Sequence, residues 1–419
     1  MQISSCLIVK NEAENIARCL ESIKSISDEI IVVDTGSTDN TVEIAKSYGA
    51  RIYFYEWDNN FSNARNFALE KATGDWIIFL DADEYFEENT PKELKNVLKH
   101  MVYNKDYDAI LCKMYNIEGS ESKIISESPT IRVFRGKSGI RYSGSIHEQP
   151  LKNGNKLRIA HINDVSLIIY HTGYSYSLQP QKYSRNLELL NKRIEDNKID
   201  NLTYYYMSGS HNQLGNAEEA IRYALLALKE PTFDKTIVAY QPYVFLIKNM
   251  LHLKDRYTFA EIEKYADEAL MQFPKHPEIW YIRALLKKEQ LDTPAAIESY
   301  LKAIELNKSF DLLMNNNFPS HLEDVYFDLA TLSGLIGDQI HELDYYFEVL
   351  KINKQNFSAL EGLYKIIKNQ QPAEIILFLN TIYDRENKED LKFLNLAMGK
   401  LNNITLANYY YDAYNKVNS

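Results

Sequence analysis

The first 115 residues carry four short, largely apolar runs, Ile3–Val9, 30–33, 51–55 and 76–80, and segments of helical period separate them. A run that stays apolar without alternating is a strand covered on both faces, which implies a mainly parallel sheet between two layers of helices. In 14–25, Ile16, Leu20 and Ile23 fall on one face at spacings of four and three. Further helices are expected over 41–48, behind Asp39 or Asn40 as cap, and over 63–72. A fifth strand is expected over 109–115. From 129 to 174 the pattern changes to short strands and turns (130–135, 139–145, 165–170), a mixed or antiparallel addition closing one side of the sheet.

Beyond Ser177 the chain reads as almost wholly helical. Gln179 to Asn197 is charged and periodic, a connecting helix. After it, Tyr204, Gly215, Ala220, Ala224, Ala227 and Leu228 mark one helix pair, and Trp280, Ala284, Ala296, Tyr300, Ala303 and Ile304 mark a second at matching offsets. Phe327, Ala330, Leu343, Phe347 and Leu350 echo them. Small residues at helix crossings with aromatics at the ends resemble tetratricopeptide repeats, at irregular spacing. The expected organisation is an α/β domain over 1–177, a connecting helix over 178–200 and a helical-repeat domain over 201–419. Stacked helix pairs leave a concave face suited to a protein or peptide.

The net charge of −11 argues against a nucleic-acid partner and against bulk attraction to anionic membranes. No apolar run approaches the roughly 20 residues that span a bilayer. The amino end reads as a strand rather than a signal peptide, and a cytoplasmic protein is expected. Cys6, Cys19 and Cys112 have no metal-ligand spacing and read as small buried hydrophobes in a reducing compartment.

The chemistry concentrates where the strands end. Trp76-Ile77-Ile78-Phe79-Leu80 stops abruptly in Asp81-Ala82-Asp83-Glu84. Were the chain extended there, Asp81 and Asp83 would point the same way and face one hard cation. Mg²⁺ is usually held by one or two carboxylates together with substrate phosphates. Three other segments reach the same sheet edge, where ligands of parallel α/β sheets bind: Lys10-Asn11-Glu12; Asp34-Thr35-Gly36-Ser37-Thr38-Asp39; and Asn63-Ala64-Arg65-Asn66. Asp34 can accept hydrogen bonds from a base or ribose, Gly36 permits a tight turn beside the Ser37 hydroxyl, and Arg65 can meet a diphosphate.

These four segments, in this order, resemble the family 2 glycosyltransferases of GT-A fold over roughly residues 1–175. The resemblance implies an enzyme that takes a nucleotide-activated sugar, usually UDP-linked, and inverts its anomeric carbon. It implies that Asn11, Glu12, Asp34, Gly36, Ser37, Arg65 and the Asp81-Ala82-Asp83 motif bind the nucleotide sugar, with Mg²⁺ or Mn²⁺ at Asp83 and Asp81. His171, in Tyr170-His171-Thr172-Gly173-Tyr174, matches the histidine that completes the metal shell in many GT-A enzymes. Inversion needs a base opposite the leaving group. Residues 120–150 lack the paired carboxylates that many members use. The expected base is Glu148, with His147 as the substitute, in Ser145-Ile146-His147-Glu148-Gln149-Pro150.

The whole layout, with its repeat tail, resembles the peptide S-glycosyltransferases that modify glycocin bacteriocins of the sublancin and thurandacin type. That resemblance implies a UDP-hexose donor, glucose or a related hexose, and a peptide acceptor, at Cys and sometimes Ser, bound with help from the repeats. Repeat faces often self-associate, so a homo-oligomer is open. Competing readings are the same chemistry on a lipopolysaccharide or other surface glycan, and a non-catalytic repeat protein with a vestigial sugar-nucleotide module. A sugar nucleotidyltransferase would need a Gly-rich loop where Lys10-Asn11-Glu12 stands.

Overall fold

The structure, a computed structural model, describes residues 1–118, 123–144, 148–162, 167–172, 179–197, 199–200, 202–230, 232–310 and 313–417. The chain forms two compact units: one of residues 1–215, 229–239 and 312–316, the other of 216–228, 240–311 and 317–419.

The first unit is built on β1 (Ile3–Val9), β2 (Glu29–Asp34), β3 (Arg51–Phe54), β4 (Trp76–Phe79), β5 (Glu84–Phe86), β6 (Ala109–Glu118), β7 (Lys123–Arg135), β8 (Ile140–Ser143), β9 (Gln149–Lys152), β10 (Asn155–Lys156), β11 (Ile159–Ala160) and β12 (Ile168–His171). The main sheet runs β3-β2-β1-β4-β7-β6-β12-β5, with β11 beside β6. The pairs β2–β3, β1–β2 and β1–β4 are parallel, as are β6–β12 and β6–β11. The later strands do not merely close one side: β7 enters the middle of the sheet, antiparallel to both β4 and β6. A separate small sheet joins β8, β9 and β10.

Helices α1 (Ile16–Lys24), α2 (Thr41–Ser47), α3 (Phe61–Lys71) and α4 (Thr90–Met101) alternate with the first strands. One core cluster packs Ile16, Leu20, Ile23, Leu94 and Leu98 under Leu7, Ile78 and Ile169. Another packs Ala68 with Ile31, Val33, Ile77, Phe79, Phe134 and Tyr142. Both faces of the central strands are thus covered, which is why their sequences stay apolar without alternating. Cys6, Cys19 and Cys112 are free and buried, as expected of small core residues. The stretch after Asp311 returns to this unit, where Asn316 bridges Glu127 of β7 through reciprocal backbone bonds of 2.8 and 2.9 Å. Helices α5 (Gln179–Glu195) and α6 (Thr203–Gln213) follow β12 and belong to the first unit.

The second unit is helical: α7 (Ala217–Ala227), α8 (Gln241–His252), α9 (Phe259–Gln272), α10 (Pro277–Glu289), α11 (Thr293–Lys308), α12 (Leu322–Leu335), α13 (Gln339–Ile352), α14 (Phe357–Ile367), α15 (Pro372–Leu379), α16 (Lys388–Lys400) and α17 (Ile404–Val417). The alanines singled out at crossings, Ala220, Ala224, Ala227, Ala284, Ala296, Ala303 and Ala330, are all fully buried. Helix pairs turn on short capped loops. Gly337 takes φ +79° after α12, and the Asp338 carboxylate accepts from the His341 N–H to start α13. Among the described residues no helix is long and apolar enough to cross a membrane.

Candidate functional site

The loops that follow β1 and β2 are tied into one surface by their polar side chains. Asn11 adopts a left-handed backbone (φ 56°), and its Oδ1 accepts from the Thr38 N–H at 2.7 Å. The Asn11 N–H donates to Ser37 Oγ at 2.9 Å, the Glu12 N–H to Thr41 Oγ1 at 2.7 Å, and the Ala13 N–H to Asp39 Oδ2 at 3.1 Å. Asp34 closes β2 at only 2 % exposure. Its Oδ1 accepts from the Gly36 and Ser37 N–H groups, both at 3.0 Å, a turn that needs the positive φ of Gly36 (108°). Asp34 Oδ2 is buried with no hydrogen-bond partner among the described residues. A buried carboxylate oxygen without a donor is costly, and a ligand hydroxyl or ring N–H would satisfy it.

After β4 the chain does not stay extended. The Glu84 N–H donates to Asp81 O at 3.0 Å, so Asp81-Ala82-Asp83-Glu84 is a turn. The two aspartates therefore separate instead of pointing together, which corrects the premise drawn from an extended chain. Asp81 Oδ1 accepts from Arg65 Nη2 at 2.8 Å and its Oδ2 from Arg132 Nη2 at 3.2 Å. Asp83 Oδ2 instead lies 3.3 Å from His171 Nε2. Ala82, between them, is buried.

His171 reaches Asp83 because β12 pairs antiparallel with β5 and parallel with β6, placing it beside Glu84 and Asn116. His171 Nδ1 lies 2.7 Å from Asn116 Oδ1, and Asn116 Nδ2 donates to Ser126 Oγ at 2.7 Å. A ring nitrogen held by an amide oxygen carries its proton there, leaving Nε2 directed at Asp83 with a lone pair for a cation. Burial would lower the His171 pKa, but the Asp83 carboxylate and the neighbouring Glu84 and Asp81 raise it. Among the described residues no three acidic, His or Cys side chains converge as a closed metal site. The oxygen and imidazole pair Asp83–His171 suits a partly protein-held Mg²⁺ or Mn²⁺ that takes its other ligands from phosphate and water. Glu12 shares this neighbourhood: burial raises its carboxyl pKa, the Asn15 amide opposes, and Asp83 and Asp81 raise it further.

Arg65 is the centre of a second group. It is 5 % exposed, with its guanidinium carbon 4.9 Å from the Phe79 ring and 5.3 Å from the Tyr142 ring. Nε donates to Glu148 Oε1 at 2.6 Å and Nη2 to Asp81. Arg132 in turn donates from Nε to Glu84 Oε2 at 2.7 Å and from Nη2 to Glu84 Oε1 at 2.5 Å. Glu148, Arg65, Asp81, Arg132 and Glu84 thus form a row of alternating charge. Against the burial that would raise it, Arg65 and Arg132 hold the Asp81 carboxyl at about 2. The α3 motif supplies the scaffold. Ser62 Oγ donates to Gly144 O at 2.5 Å, and Asn66 clamps Tyr142 by accepting its N–H (2.8 Å) and donating to its carbonyl (2.9 Å).

The structure thus brings Asn11, Glu12, Asp34, Gly36, Ser37, Arg65, Asp81, Asp83, Glu148 and His171 to the ends of β1, β2, β4 and β12 and the head of α3. His147 lies outside the described residues. Arg132 and Asn116, on the long strands β7 and β6, and Tyr142, on the short β8, escaped the sequence reading, since a lone polar residue on a strand carries no local signature.

Residues 4–166 match the family model described as "Glycosyl transferase family 2". The SPbeta prophage-derived glycosyltransferase SunS of Bacillus subtilis is 28 % identical over 295 residues, covering 68 % of this chain and 66 % of that protein. A TPR repeat-containing protein of Synechococcus elongatus is 40 % identical over 147 residues, 35 % of each chain. The matched region spans about two thirds of the first relative and about a third of the second. Among solved structures, that of S. aureus TarS aligns over 59 % of this chain and 54 % of its own, with TM-score 0.34 and 18 % identity.

Proposed function

We propose, from the match of residues 4–166 to the family 2 glycosyltransferase model, that this chain is an inverting, metal-dependent hexosyltransferase that moves a sugar from a UDP-hexose, with glucose the first candidate, to a peptide side chain, with a Cys thiol the preferred acceptor. The observation that carries the reading is the gathering of Glu12, Asp34, Asp81 and Asp83 at the ends of β2, β1 and β4, three neighbouring parallel strands. Asp34 Oδ2 awaits a donor from the nucleoside. Asp83 and His171 would hold the cation, which as a Lewis acid stabilises the charge that develops on the departing diphosphate.

The protein's own part in the displacement is to position the reactants and to take one proton. The acceptor sulfur attacks the anomeric carbon, the bond to the UDP oxygen breaks, and the thiol proton passes to Glu148 Oε2, the carboxylate oxygen that Arg65 Nε does not engage. A thiol with pKa near 8.5 asks less of this base than a hydroxyl would. The peptide acceptor rests on the resemblance to the glycocin enzymes and on the SunS alignment. At 295 residues that alignment is longer than the 4–166 domain and so extends beyond it. A helical-repeat unit offers a surface suited to an extended chain.

The test is incubation with a panel of UDP-sugars, Mn²⁺ or Mg²⁺, and a Cys-containing helical-hairpin peptide, read by mass. Addition of one hexose is expected, lost with chelator and with Asp83→Ala. Full transfer in either condition overturns metal dependence, and transfer only to a saccharide overturns the peptide acceptor.

A further inference from the structure

Two polar atoms beside the alternating charges are left without partners. Arg65 Nη1 and Tyr142 Oη are both buried and make no hydrogen bond among the described residues. Both residues are 5 % exposed. Each such vacancy is unfavourable, and two in adjacent side chains at the edge of a candidate site call for a ligand. Neither group is free to relax elsewhere. Arg65 is pinned through Nε by Glu148 and through Nη2 by Asp81. Tyr142 is held at its backbone by both ends of the Asn66 amide, and its ring lies 5.3 Å from Phe79 and 6.1 Å from Phe134.

We propose that Arg65 Nη1 and Tyr142 Oη together form a subsite for one oxygen of the bound donor, a hydroxyl of the sugar, and that Tyr142 is thereby a donor-selecting residue. This rests on the glycosyltransferase reading above and extends it to a side chain on β8. The guanidinium can only donate, whereas a phenol both donates and accepts. The groups whose charges act on Tyr142 include the carboxylates Asp81 and Glu148 as well as Arg65 and Arg132. With Glu84, the row holds three carboxylates against two guanidiniums, a net charge of −1. That balance disfavours another anion and suits a neutral group that accepts from Arg65 and donates onward to Tyr142 or a carboxylate. A hydroxyl does both; a phosphate oxygen does not.

The experiment measures binding of UDP, UDP-glucose, UDP-galactose and UDP-N-acetylglucosamine, each with Mn²⁺, to the full chain and to Tyr142→Phe by titration calorimetry. Removing an unpartnered buried hydroxyl should leave the melting temperature unchanged or raised, so the variant remains testable. Tyr142→Phe is expected to weaken the best-bound UDP-sugar roughly three- to tenfold, the loss of one hydrogen bond, and to leave UDP unchanged. Equal weakening of UDP would assign the oxygen to the diphosphate and overturn the sugar subsite. Unchanged affinity for every ligand would overturn it altogether. Failure of the unmodified chain to bind UDP at all would instead count against the glycosyltransferase reading on which the proposal rests.

Discussion

Arg65→Met is the most demanding perturbation of the site. The substitution keeps a long apolar stem between Phe79 and Tyr142 but removes the cation shared by Asp81 and Glu148. The row then holds three carboxylates and Arg132 alone, so its net charge falls from −1 to −2 in a setting where Glu84 is 1 % exposed. Breaking a buried ion pair from one side typically costs about 3–5 kcal/mol, because the abandoned charge stays buried. Removing the demand should return much of it: Arg65→Met with Glu148→Gln is expected to recover on the order of 1–2 kcal/mol. There is a pH signature as well. Asp81 sits at about 2 when folded, below its unfolded value near 3.9. Its contribution is therefore full above about pH 4 and is lost as pH falls toward 2; the native protein should resist acid, and Arg65→Met should unfold at higher pH. Urea melts followed by near-ultraviolet circular dichroism at pH 7 give the first quantity, and the same melts repeated at about pH 4 and about pH 2.5 give the second. A loss below about 1 kcal/mol, or no rescue by Glu148→Gln, would refute the claim that this row is electrostatically coupled.

Asn116→Ala removes the amide that orients His171 and is expected to weaken Mn²⁺-dependent UDP binding about 10- to 100-fold, measured by calorimetry with and without metal. His321 lies 3.3 Å from Lys248 Nζ and stacks on Tyr281. Burial and the Lys248 charge push its pKa well below the usual value, so its contribution is full above about pH 6.5 and falls away as pH drops below that. Melting temperatures at pH 8 and pH 5 should diverge less in His321→Gln than in the unmodified protein. Gly362 of α14 meets the Tyr346 ring where a Cβ would lie. Gly362→Ala should destabilise the helical unit by about 1–3 kcal/mol, and a smaller side chain at 346 should restore part of the loss in urea melts.

The legible parts of this chain were those written within a few residues. Strands β1, β2 and β4 declared themselves as apolar runs, and the acids that end them declared the site edge, because parallel strands put their carboxyl ends together. The alanines of the second unit were legible for the same local reason, a helical period. What the sequence hid is contact across distance. His171 meets Asp83 over 88 residues, and Arg65 meets Glu148 over 83. Asn116 and Arg132 lie on long strands where nothing nearby distinguishes a functional polar residue from a solvated one.

The turn at Asp81 shows how such a distant partner changes the chemistry inferred from a motif. Read alone, two carboxylates at alternate positions are one cation site. Arg132, from a strand inserted antiparallel beside β4, binds both Asp81 and Glu84. It closes the turn from outside and divides the labour of the motif. Asp81 faces two guanidiniums, while Asp83 alone faces the imidazole. On this arrangement Arg132→Gln should free Glu84 and the Oδ2 of Asp81, while Arg65 keeps its hold on Asp81 Oδ1. A cation then gains a second carboxylate, so Mn²⁺ binding measured without nucleotide should tighten even as the fold weakens. If Mn²⁺ affinity instead falls or stays level, Asp81 is not withheld from the metal by the arginines, and the division of roles drawn from the turn is wrong.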